Sequence, residues 1–315
     1  MNRPKSIVAG AAIATTMVCA IPDARAFVRS ATSKGFPTAW QNPSIDLQLL
    51  IADPPAYLDA ATLSHAVHTA AATWSQPTVA CTAIVLNVHD VPDSNLVAAS
   101  DGINHIGFRR DKWQKIPCTV TATEHCAPYD PAAIAITTVT SRTNTGEIID
   151  ADMEINAVTN TFADVLVDGD KYAGVQKLQD LQNTVTHELG HLIGLDHNCY
   201  DPLSGAPAPL DDSGMPAPSC LNAPPEIMAA TMYSKALERE TDKRDLAADD
   251  LRAVCTVYPV GYRGAFPGNG ADPPDPAGGC AISPAGHAGS RGFGVALSGT
   301  LAALVLRAAR ARRRR

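Results

Sequence analysis

A chain of 315 residues with 45% apolar and 18% charged side chains can bury a sizeable core, which excludes wholesale disorder. Its 22 Gly and 24 Pro call for many turns but follow no Gly-X-Y period, so collagen is excluded. The net charge of −7 divides into +2 over residues 1–26, +7 over 281–315 and −16 for the body between, and so acidic a body argues against nucleic acid as a partner.

The N-terminus has the three parts of a secretory signal in order. Arg3 and Lys5 are its charged region, Ile7 to Ala20 its apolar stretch, and Ala24-Arg25-Ala26 its small-x-small cleavage pattern. The mature chain is expected to begin at Phe27 and to be exported. Alternation at Ile45, Leu47, Leu49 and Ile51 predicts a strand over Ser44 to Ile51. Leu63, Val67, Ala71 and Trp74 share one face of a helix over Leu58 to Trp74, and Pro77 stops it. Further strands are expected at Cys81 to Val88, Asn104 to Phe108, Ala133 to Thr140 and Glu147 to Asn156. In the last of these, Asp150, Asp152 and Glu154 alternate with apolar residues. They could bind Ca²⁺ through hard carboxylate oxygens, or be a solvated strand face. A long helix is expected over Gln176 to Leu195 and another from about Leu246 to Tyr258, with Asp249 and Asp250 in its first turn. The order implies an α+β domain over residues 27–262 with helices packed on one sheet.

Eight cysteines occur, with Cys19 in the signal and Cys280 in the tail. The other six form an even set behind an export signal, so three disulfides are expected. Closeness in sequence favours Cys118–Cys126 and Cys199–Cys220, leaving Cys81–Cys255.

The long helix carries the chemistry. His187 and His191 are four residues apart, so their rings project from one face a turn apart and can meet one metal ion. Gly194 suits a turn that ends the helix and brings His197 in as third ligand. Three protein ligands leave one position of a tetrahedral Zn²⁺ for water, the catalytic rather than the structural pattern. Glu188, directly after the first ligand, is placed to take the proton of that water as general base. At this chain's own residue frequencies the five fixed positions of H-E-x-x-H-x-x-G-x-x-H would arise by chance in roughly one chain in a hundred thousand.

This motif resembles that of the metzincin metalloproteases, in which a methionine turn follows. The resemblance implies a twisted five-stranded mixed sheet with three main helices and a cleft, and one catalytic zinc. It implies that Met232, in Ala230-Thr231-Met232-Tyr233, forms an apolar floor under the histidines. It also implies that the strand Ile148 to Asn156 is the sheet edge that aligns an extended protein or peptide substrate. Adjacent Met232 and Tyr233, and Asp249-Asp250 near the start of the last helix, resemble the matrixin branch. Ser234 stands where a Tyr ligand would be needed. The stretch from Asn198 to Ile227 is longer than matrixins usually have, so substrate preference is not carried over.

Residues 263–290 read as a Pro/Gly-rich linker containing Gly279-Cys280. Residues 291–315 hold an uncharged run, Gly292 to Leu306, followed by an arginine cluster. This layout resembles the sorting tails of myxobacterial surface proteins and implies transient or permanent membrane anchoring and cell-surface display. The expectation is an exported, monomeric zinc metalloendopeptidase. The alternative is a catalytically silent surface protein that keeps the fold for binding or adhesion.

Overall fold

The computed structural model describes residues 27–93, 95–114 and 128–264, together with the backbone of 274–275 and 279–281. Five long strands and three main helices form the frame. The strands are β1 (Ser44–Leu50), β2 (Val85–Val91), β3 (Asn104–Arg109), β4 (Ala135–Arg142) and β5 (Glu147–Asn156). The helices are α1 (Ala60–Trp74), α2 (Leu181–Leu192) and α3 (Ala248–Val257). In space the strands run β2-β1-β3-β5-β4. The first four are parallel and β4 is antiparallel to β5. Parallel neighbours need a long crossover, and α1 supplies it between β1 and β2.

Short strands extend the sheet to eight among the described residues. Ala39–Trp40 pairs with the start of β5, while Pro274–Asp275 and Gly279–Ala281 pair with β4. The expected five strands are therefore the long ones only. Strands of two or three residues are too short to show a period in sequence.

Side-chain alternation places the core. Ile45, Leu47 and Leu49 of β1, Ile106 and Phe108 of β3, and Ala151, Met153 and Ile155 of β5 join one apolar cluster with α1, α2 and α3. Asp59 caps α1 by accepting from the Thr62 N–H at 2.7 Å, and Leu63, Val67, Ala70 and Trp74 line its buried face. The Trp74 indole N–H then donates to Thr186 O at 2.7 Å and ties α1 to α2.

The long helix starts at Leu181, not Gln176, because Leu178–Asp180 pairs as a strand with Thr161–Ala163 and the Asp180 carboxylate caps the helix from the Asn183 N–H at 2.8 Å. The strand read as the sheet edge, Ile148 to Asn156, lies inside the sheet between β4 and β3. Alternating acids suggested an open face, but Asp150, Asp152 and Glu154 are all 2% exposed or less. Their oxygens accept from Gly102 N–H (2.9 Å), His105 N–H (3.0 Å), and Arg109 Nε–H with Tyr129 O–H (2.6 and 2.8 Å). The outermost of the five long strands on the α2 side is β4.

A candidate metal centre on helix α2

α2 presents His187 and His191 one turn apart, and both are buried. The helix ends at Leu192, with Ile193 as its cap. Gly194 follows with φ +90°, a conformation that L side chains resist, and a Cβ there would also run into Thr38 O. The chain thus turns back through Leu195–Asp196, which pairs with Val28–Arg29, and delivers His197 beside the helix.

The three rings converge. One ligand nitrogen from each of His187, His191 and His197 lies within 4.8 Å of the others. Among the described residues this is the one such group of three or more His, Cys, Asp or Glu; Asp150, Asp152 and Glu154 do not form one. His191 Nε2 and His197 Nε2 are 3.3 Å apart. Two nitrogens each about 2.0–2.1 Å from one tetrahedral ion would be about 3.3–3.4 Å apart.

Backbone carbonyls fix two of the rings. His191 Nδ1 bonds Leu195 O at 2.8 Å, and His187 Nδ1 bonds Thr231 O. A carbonyl only accepts, so each Nδ1 carries the hydrogen and each Nε2 keeps a lone pair. His187 Nε2 is buried with no hydrogen-bond partner, which is an expensive state without a ligand. Burial, followed by the neighbouring imidazoles, pushes His187 and His197 well below the usual histidine range, and burial lowers His191 as well. Three neutral imidazoles aimed at one point suit a borderline divalent ion, so the residues present could hold a metal.

Glu188 is 1% exposed. Its Oε2 accepts from the Thr137 hydroxyl of β4 at 2.6 Å. Burial pushes its carboxyl up to about 8, and the Thr137 bond pulls the other way. Ile134, Asn183 and Tyr233 share a small cleft with His187 and Glu188.

Met232 is buried in the same core, with its sulfur against Gly190, so that a Cβ at 190 would collide with it. The turn that carries it is held by Asp250, whose oxygens accept from the N–H groups of Thr231 (2.7 Å), Met232 (3.1 Å) and Ala247 (3.0 Å). The first-turn position suggested only a dipole effect for Asp250, and the structure adds this clamp. The Tyr233 hydroxyl donates to Cys220 O at 3.2 Å. Cys199 and Cys220 are bonded with Cα atoms 5.0 Å apart, and Cys81 and Cys255 with Cα atoms 5.3 Å apart. Cys118 and Cys126 lie outside the described residues, as do residues 1–26 and the run Gly292 to Leu306.

Two contacts of the candidate site were not readable in the sequence. Thr137 lies 51 positions from Glu188 in a strand without a motif, and no local signal marks it. Asp250 was visible as an acid in a first turn, but its partners were not.

Neither a protein-family model nor a curated protein sequence matches this chain.

Proposed function

We propose that this chain is an exported zinc-dependent endopeptidase of the metzincin type, closest to the matrixin branch. The observation that carries the reading is the convergence of three neutral imidazoles, two of them anchored by backbone carbonyls, beside the buried carboxyl of Glu188 on the same helix as the first two. His187, His191 and His197 would hold the zinc. When bound, the ion would supply Lewis acidity toward water and a peptide carbonyl.

The remaining steps belong to the protein. Glu188 takes a proton from the attacking water and returns it to the leaving amine, so its carboxyl must cycle between charged and neutral forms. A fully buried carboxyl held by one hydroxyl is suited to that, since burial brings the two forms closer in energy at neutral pH. Thr137 keeps the carboxyl in one rotamer by its 2.6 Å bond. Strand β4 runs past this point, and an extended peptide paired along it would be carried beside Glu188. Disulfides and a signal-like leader agree with an exported protein. Among the described residues, no helix is long and apolar enough to cross a membrane.

The test is Glu188→Gln in the full chain. The amide keeps the shape, so zinc content and melting temperature are expected to match the parent. Cleavage of denatured casein is expected to fall about 10²–10⁴-fold. Turnover near the parent rate would remove Glu188 as the base.

A further inference from the structure

The tail returns to the site. Gly279–Ala281 pairs antiparallel with β4, with Gly279 opposite Thr138, Cys280 opposite Thr137 and Ala281 opposite Ile136. Pro274 and Asp275 pair with Arg142 and Ser141 of the same strand. The pairing thus covers Ile136 to Thr138 and Ser141 to Arg142 on the edge that the other long strands leave open. Its register places Cys280 opposite Thr137, whose hydroxyl bonds Glu188.

A row of backbone N–H and C=O groups on a sheet edge accepts one strand at a time. Whatever lies along Ile136 to Thr138 excludes a second extended chain from the same groups. We propose that Pro274–Asp275 and Gly279–Ala281 are built-in occupants of the peptide edge, so that the chain restrains its own access to substrate. This inference rests on the peptidase reading for its consequence, though the pairing itself does not. Only nine residues separate Gly264 from Pro274. A short tether holds its segment at about millimolar effective concentration, so even a weakly pairing strand competes with dilute substrate. The competition is for binding. It raises the apparent KM and leaves kcat alone. Cutting or displacing the tail near Gly279-Cys280 would open the edge, which couples activity to any processing at that pair.

The experiment uses three full-length proteins: the parent, a Cys280→Pro/Ala281→Pro double variant, and Cys280→Ser. Alternate residues of an antiparallel strand point their N–H at the partner, so two adjacent prolines remove a ladder bond whichever phase applies. Zinc content is expected to be equal in all three. For denatured casein, the double variant should show a KM about tenfold lower at unchanged kcat, while Cys280→Ser should match the parent. Amide exchange at residues 136–138 should be slow in the parent and in Cys280→Ser, and at least tenfold faster in the double variant. Affinity for fluorescein-labelled casein, measured with Glu188→Gln added to each protein, should rise about tenfold in the double variant only.

Equal KM, equal exchange and equal casein affinity in parent and double variant would overturn the proposal. So would a Cys280→Ser protein that behaves like the double variant, because the restraint would then lie in the thiol and not in the strand. Absence of turnover from all three would sink the peptidase reading alone. Exchange and casein affinity would still decide the role of the tail.

Discussion

Glu188 and Thr137 form the pair on which the chemistry turns at the scale of single residues. The carboxyl is buried and its one side-chain donor is the Thr137 hydroxyl at 2.6 Å. A hydrogen bond to a charged acceptor is worth about 1.5–3 kcal/mol, or roughly 10- to 100-fold in rate if it acts in the transition state. Thr137→Val keeps the shape and deletes the donor. It is expected to lower kcat by that factor while zinc stays bound, and Thr137→Ser is expected to restore most of the loss. An unchanged kcat in Thr137→Val would show that the carboxyl needs no such support. His187, Glu188 and His191 were legible in sequence because a helix fixes their mutual geometry within about one turn, and His197 because Gly194 marks where the chain leaves that helix. Thr137 was not, since a contact across 51 residues leaves no period to read.

Among the elements, β5 shows what sequence pattern can and cannot give. Its bounds, Glu147–Asn156, follow from the alternation alone. The fate of its acidic face does not, because burial depends on what covers it. Asp152 is buried, and desolvation pushes its carboxyl up to about 8, with the charge on Asp150 adding to the effect. The unfolded chain gives up this proton near pH 4, and the folded chain keeps it until about pH 8. Folding therefore takes up a proton between those limits. The contribution of Asp152 to stability is full below about pH 4 and is lost as the pH rises toward 8. Asp152→Asn can still accept from the His105 N–H, and it is expected to flatten this slope and to be more stable than the parent at pH 8. Urea denaturation of both proteins from pH 4.5 to 9 in Ca²⁺-free buffer checks it. Parallel slopes would contradict it. α2 gives the complementary lesson: its end at Gly194 was readable as a turn residue, while its start was masked by a three-residue strand whose partner lies elsewhere in the chain.

The whole molecule combines an acidic, disulfide-linked body with a basic tail. The resemblance of that tail to sorting tails predicts that Gly292 to Leu306 halts in a membrane and that processing occurs near Gly279-Cys280. Fractionating cells that make the parent or Cys280→Ala is expected to show the parent at the surface without residues 281–315 and the variant retaining them. Both proteins in the medium with the tail intact would end that reading.

The central claim is that three converging histidines make this body a metal-dependent peptidase. The most direct measurement follows zinc content and casein cleavage by one preparation of the full chain, before chelation, after chelation and after return of zinc. The account predicts about one zinc per chain, cleavage that disappears with the metal, and recovery when one equivalent is restored. Cleavage that persists in a metal-free protein, or a fully loaded protein with no cleavage even when residues 279–281 no longer pair with β4, would contradict it.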